Sequence, residues 1–341
     1  MNENSVRGFS RSAKYKIIVI IGLFILGCIA MLASVCLGSM KFSVQDSLRA
    51  IFINDESPAR LIIWNVRLPR ILSGGLVGIC LSLAGCILQG VMRNHLASPS
   101  TIGVTSGASF IGYLTLVAFP GYYHLLPVGS IVGGFFTTMA IYLLAYNKGI
   151  SPVKMILSGM AVSAVFGAFN DIIRSFYSEN IANATGFLVG SLNGVAWKNF
   201  SMILPYAMVG IFMCFFLPSR MNILMLGDEM ANSLGVNTES FRLILIVISS
   251  LLAGAAISVA GLINFVGLIV PHIARLLVGS DYKYLFPASI AMGFMMIVIC
   301  DLIGRIVMPV GEISVSVVLS FVGAPFFLYL LRNRSAKQGV S

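Results

Sequence analysis

Apolar runs of spanning length alternate with short polar intervals along the whole chain. A membrane-spanning helix needs roughly 20 mostly apolar residues. By that rule about ten spans are expected, at Ile17–Leu37, Ile71–Val91, Ile102–Phe119, Leu125–Tyr146, Met155–Ile173, Met202–Leu217, Leu243–Ala260, Leu262–Leu277, Phe286–Ile303 and Val315–Leu331. The second could begin near Leu68, and the eighth is short and contains Pro271. The pattern therefore predicts an all-α polytopic membrane protein, one transmembrane domain over residues 1–341.

The longest polar interval of the second half is Pro218–Arg242. Within it Leu226, Met230 and Leu234 recur at i, i+4, i+8, on one face of a short helix. Asp228 and Glu229 suit its positive first turn, and Gly235 suits its stop. Asn237 or Thr238 can cap a second helix with Glu239 in its first turn. This reads as a helix–turn–helix at a membrane surface, either a solvated connector or a place where another protein grips.

Composition agrees with a membrane class. Of 341 residues 58% are hydrophobic and 10% charged, against about 25% charged in soluble domains. The net charge of +10 is spread over loops rather than gathered into an arm with aromatics, so nucleic acid is not an expected partner. With Arg7, Arg11, Lys14 and Lys16 ahead of a run too long for a signal peptide, the first run reads as a retained span. The Lys/Arg distribution places both termini, and Pro218–Arg242, in the cytoplasm. The six cysteines lie in apolar runs without a CxxC pair, and His95, His124 and His272 are scattered, so no metal site is expected.

Small residues recur at helix-contact spacing, among them Gly74/Gly78, Gly129/Gly133 and Ser250/Gly254. Leu76–Gly85 aligns with Leu252–Gly261, five spans apart, which suggests an inverted repeat. Charges in the apolar zone are few: Asp171 with Arg174 and Asp301 with Arg305, both spaced for intrahelical ion pairs. Arg67 and Arg70 stand at the positive end of the second span, an unfavourable place that suggests an acidic partner from outside. Gln89, Asn94 and Asn264 can bond between helices or line a path. There is no phosphate loop, HExxH or GxSxG, so an ATP-driven pump would need its ATPase on another chain.

Four segments resemble permeases of type II ABC importers, which carry iron–siderophores, haem and vitamin B12: Arg67–Phe110, Gly190–Trp197, Leu226–Val236 and Gly261–Asp281, in the family's order. The resemblance implies a ten-span fold and a non-enzymatic translocation subunit in a bacterial plasma membrane. Its partners would be a second permease, identical or related, two ATP-binding subunits holding ATP and Mg, and an extracytoplasmic binding protein delivering an iron chelate. It implies that Leu226, Gly227, Asp228, Glu229, Met230, Ala231, Leu234 and Gly235 couple to the ATPase. Arg67, Arg70 and Arg305 would dock the binding protein, and Asn94, Leu96, Ser151, Pro152 and Val153 would narrow the inner end of the path. His95 stands where the family usually has proline, which restores an N–H donor. An ion-coupled transporter or an assembly protein are the other classes; the first would need an acidic or basic relay, and no chain of such residues is evident.

Overall fold

The computed structural model describes residues 12–38, 40, 42–53, 57–145, 152–177, 186–308 and 310–338. Arg7, Arg11 and Ser151 lie outside the described residues. The described chain is helical: α1 Ala13–Cys36, α2 Val44–Phe52, α3 Pro58–Ile62, a π turn Ile63–Arg67, α4 Leu68–Val91, α5 Val104–Ala118, a 3-10 turn Pro120–Leu125, α6 Leu126–Ala145 and α7 Pro152–Phe176. Then follow α8 Trp197–Cys214, α9 Pro218–Leu224, α10 Asp228–Ser233, α11 Thr238–Ala260, α12 Val266–Val278, α13 Tyr282–Ile306 and α14 Val315–Gln338.

Every expected apolar run falls on a helix, but the helices are unequal. Six are long and apolar enough to cross a membrane. The bent pair α8–α9, turned by 63°, supplies a seventh if counted as one span. The apolar parts of α5, α12 and α14 are shorter. At 1.5 Å per residue the 13 residues of α12 reach about 20 Å, less than a bilayer's hydrocarbon core. Its start is later than the pattern suggested. Gly261 and Phe265 take left-handed backbone, at φ 67° and 68°, and the chain between them is a non-helical linker. Pro271 sits inside α12 and does not break it.

The α4 and α11 helices form the centre. Their most apolar windows are 83% and 78% buried, against 22% in α1 and 11% in α7. Lipid tails are as apolar as leucine, so helices in a membrane are held by close packing rather than by hydrophobic transfer. The sequence meets that need with glycine at the crossings. A Cβ on Gly78 would lie 2.1 Å from the Gly293 carbonyl oxygen of α13, and one on Gly254 would lie 2.5 Å from Cα of Ile131 in α6. These two glycines hold the same place in the aligned segments Leu76–Gly85 and Leu252–Gly261.

The packing follows the same exchange. α4 packs on α13 as α11 packs on α6; α5 packs on α6 as α12 packs on α13; α4 meets α12 as α11 meets α5. The outer helices break the pattern, because α1 packs on α13 while α8 packs on α4 and α11. Gly78→Leu is expected to lower the melting temperature of the detergent-purified protein, since overpacking against backbone costs about 1–3 kcal/mol or more. Gly22→Leu on α1, where nothing lies within 4 Å, should leave it unchanged.

Candidate functional site

Polar chemistry gathers at the two ends of α4. At its start lies a cluster of three arginines and two acids. Arg70 donates from Nε and Nη2 to Asp301, at 2.9–3.1 Å, and from Nη1 to Glu312 at 2.8 Å. Arg305 Nε stands 3.2 Å from Asp301, one helical turn away, and its Nη2 donates to the Ser34 carbonyl and hydroxyl. Arg67 donates to the carbonyls of Val35 and Met40 and stacks over Phe42 at 4.9 Å. The three arginines are only 4–7% exposed. The expected acidic partner of Arg70 is thus within this chain, on α13 and the loop after it. Among the described residues Arg67 has no acidic partner, so the cluster carries one positive charge in excess. The Asp301–Arg305 pair has the anticipated i,i+4 spacing, whereas Asp171–Arg174, at 3.7 Å, is exposed on α7.

At the other end of α4 lies Pro218–Arg242. It holds more structure than one helix–turn–helix. α9 was not anticipated; Asn222 ties it to the start of α13, donating to Asp281 at 2.8 Å and accepting from the Tyr282 amide. α10 begins at Asp228, with Gly227 at φ 112° before it. It ends in a Schellman motif, in which the amides of Gly235 and Val236 donate back to Asn232 and Ala231 and Gly235 takes φ 81°. Asn237 then caps a helix, as expected, but that helix is α11 itself, which starts five residues before the apolar run.

The helix expected over Leu226, Met230 and Leu234 is shorter than their spacing implied: only Met230 lies within α10, Leu226 precedes Gly227 and Leu234 is the C-cap, though all three side chains face out. Leu226, Met230 and Leu234 are 54–63% exposed, while Ala231 is fully buried. Asp228 turns the other way. Its carboxylate accepts from Arg93 at 2.6 Å and from both terminal nitrogens of Arg242 at 2.8 and 3.0 Å. Neither arginine was singled out in the sequence, because the partners are 135 and 14 positions away. Glu229 is exposed, and its backbone carbonyl accepts from the Ser233 hydroxyl.

The remaining candidates cluster in part. Asn94 closes the turn after α4, its side chain accepting from the Leu96 amide at 3.0 Å and its carbonyl from Ala97. Pro152 and Val153 open α7, and Val153 is 65% exposed. Gln89 is buried and bonds between helices, donating to the Leu268 carbonyl and accepting from Arg275 on α12. Asn264 is exposed in the linker before α12. Five cysteines are buried and Cys28 is exposed on α1; no group of three or more potential metal-ligating side chains occurs among the described residues.

Known proteins resemble the chain over most of its length. The chain is 36% identical to the Fe(3+)-citrate import system permease protein YfmD of Bacillus subtilis over 327 residues, covering 96% of each. It is 36% identical to the iron(3+)-hydroxamate import system permease protein FhuB of the same organism, covering 95% of this chain and 85% of that one. It is also 36% identical to the cobalamin import system permease protein BtuC of Halobacterium salinarum, covering 82% and 75%. Among solved structures, an inward-facing metal-chelate type ABC transporter superposes with a TM-score of 0.81 at 30% identity, over 93% of this chain and 99% of that one. The FecCD transport family model matches residues 24–333, and the chain, an integral membrane protein of several spans, belongs to that family.

Proposed function

We propose that this chain is the translocation subunit of an ATP-driven importer for ferric siderophores, working with a second permease, two ATP-binding subunits and an extracytoplasmic binding protein. The observation that carries the ATPase partnership is the exposed apolar trio of Leu226, Met230 and Leu234, on and beside a six-residue helix too short to enter the membrane. An exposed apolar surface at a polar end of the bundle marks a place of contact with a partner, here read as a protein. The helices α1, α4, α5, α6, α7, α8, α11, α12, α13 and α14 are read as ten spans, with both termini cytoplasmic in a bacterial plasma membrane. The matching packing of α4–α6 and α11–α13 supports an inverted repeat.

In this reading ATP binding draws the ATPases together and moves α10, and the bundle changes which end of a central path is closed. The path runs beside Asn94, Leu96 and residues 151–153. The binding protein docks at the other end, where the excess positive charge of Arg67, Arg70 and Arg305 favours its carboxylates. ATP and Mg act on the partner subunit. The relatives that import iron–citrate and iron–hydroxamate favour a ferric chelate, and the cobalamin relative keeps a corrinoid as the alternative cargo.

Uptake by a deletion strain tests the cargo, with labelled ferric siderophores, haem and cobalamin compared side by side. Loss confined to a ferric siderophore, restored by this chain with its ATPase, is the expected result. A defect confined to cobalamin or haem would replace the substrate, and uptake on an ion gradient without any ATPase would replace the mechanism.

A further inference from the structure

The turn after α4 ends that helix by the same motif as α10, but with the wrong residue for it. The amides of Arg93 and Asn94 donate back to Gly90 and Gln89, which makes Arg93 the left-handed position of a Schellman motif. Its φ is 46°. α10 puts glycine at the equivalent place, Gly235. A side chain there is strained and uncommon, so an arginine held in that conformation points to work done by its side chain. That side chain reaches Asp228, at 2.6 Å.

Asp228 is the meeting point of three elements. Arg93 belongs to the turn that continues directly into Asn94 and Leu96. Arg242 is in the first turns of α11 and is 6% exposed, so Asp228 neutralises a charge that has almost no water. Arg242 holds Asp228 by both terminal nitrogens, a fork that fixes direction as well as distance. The turn on the far side is stiff, because Asn94 bonds Leu96 and Ala97 within it. A displacement of α10 therefore cannot leave the residues beside the path behind without breaking a charged pair.

Resting on the ATPase-docking reading of the exposed stripe, we propose that Asp228 is a mechanical joint: shared between Arg93 and Arg242, it passes movement of α10 to the turn carrying Asn94 and Leu96 and to the start of α11. Asp228, Arg93 and Arg242 are positioning residues; Leu226, Met230 and Leu234 form the surface that meets the ATPase. The joint separates gripping the ATPase from being moved by it.

Arg93→Gly is the decisive variant, because it removes the tether while relieving the backbone. The purified permease should melt at the same temperature as the parent or higher. Its complex with the ATP-binding subunits should still form. In proteoliposomes with the binding protein, substrate moved per ATP hydrolysed should fall about tenfold, the effect of removing a single charge-assisted hydrogen bond from one of two states. Asp228→Asn and Arg242→Gln should lower the same ratio, the double variant no further than the worse single one. Asp228→Glu should recover part of it. Amide exchange of residues 228–236 in the permease alone should quicken in Arg93→Gly and Asp228→Asn while the middle of α11 stays protected, which reads the joint without the ATPase. Parental transport per ATP in Arg93→Gly overturns the joint. So does loss of ATPase co-purification in that variant, which would make Arg93 part of the grip. A parent chain that co-purifies with no ATP-binding subunit overturns the docking reading, and the joint with it.

Discussion

Asp301→Ala should strip the protein from the membrane, or leave it with a sharply lowered melting temperature, while Glu312→Gln should barely register. Both acids touch Arg70, so a count of ion pairs would rank them alike. Their surroundings do not. Asp301 is 4% exposed and faces Arg70 and Arg305, themselves 6–7% exposed at the side chain. Removing it leaves two cations in a place water scarcely reaches, and breaking a buried pair from one side costs about 3–5 kcal/mol. Set against a typical total stability of about 5–15 kcal/mol, that is a large share. Glu312 is 33% exposed, and a pair at the rim is worth about 0–1 kcal/mol.

The same physics separates folding from docking at this cluster. Replacing Arg70, Asp301 and Arg305 together by Met, Leu and Met removes the charges along with their desolvation cost, and such swaps are often neutral or stabilising. Membrane abundance should return to near the parental level, measured by quantitative blotting. Uptake driven by the binding protein should stay lost, because the positive charge that recruits it has gone. Recovery of uptake in the triple variant would confine the arginines to a structural role.

How far the residues alone could lead is visible in particular elements. The apolar runs located every long helix, since a run of spanning length is a local property of the chain. The end signals worked where they were also local: Gly235 stops α10 and Asn237 caps α11. The limits were short or distant. α9 has seven residues, too few for periodicity to declare itself, and it is fixed by Asn222 reaching α13 some 60 positions on. Leu262–Phe265 reads as part of a span by composition, yet the left-handed Gly261 and Phe265 keep it out of helix. The partners of Arg70 lie 231 and 242 positions away and that of Arg93 lies 135 away. Nothing in a local window announces such pairs. The unfavourable charge at the start of α4 showed that an acid was needed, but not that this chain would supply it.

The exposed stripe carries the other large expected effect. Changing Leu226, Met230 and Leu234 together to Ser should release the ATP-binding subunits while leaving the permease folded. Each side chain is more than half exposed in the isolated chain, so it contributes little to the permease's own stability. Fully burying a Leu or Met side chain is worth about 1.5–3 kcal/mol. Counting only the exposed half of each, three together lose about 3 kcal/mol on docking, or roughly 100-fold in affinity. The parental melting temperature, with ATPase recovery on a tagged permease lowered by that order, is the predicted pair of readings. Ala231→Ser sits on the opposite face of the same helix, fully buried, and serves as the contrast. It adds a hydroxyl to packed surroundings, so it should lower the melting temperature and leave the apolar stripe in place. If the triple Ser variant retains its ATPase at parental affinity, the stripe faces lipid headgroups or solvent, and the grip must be sought on another surface.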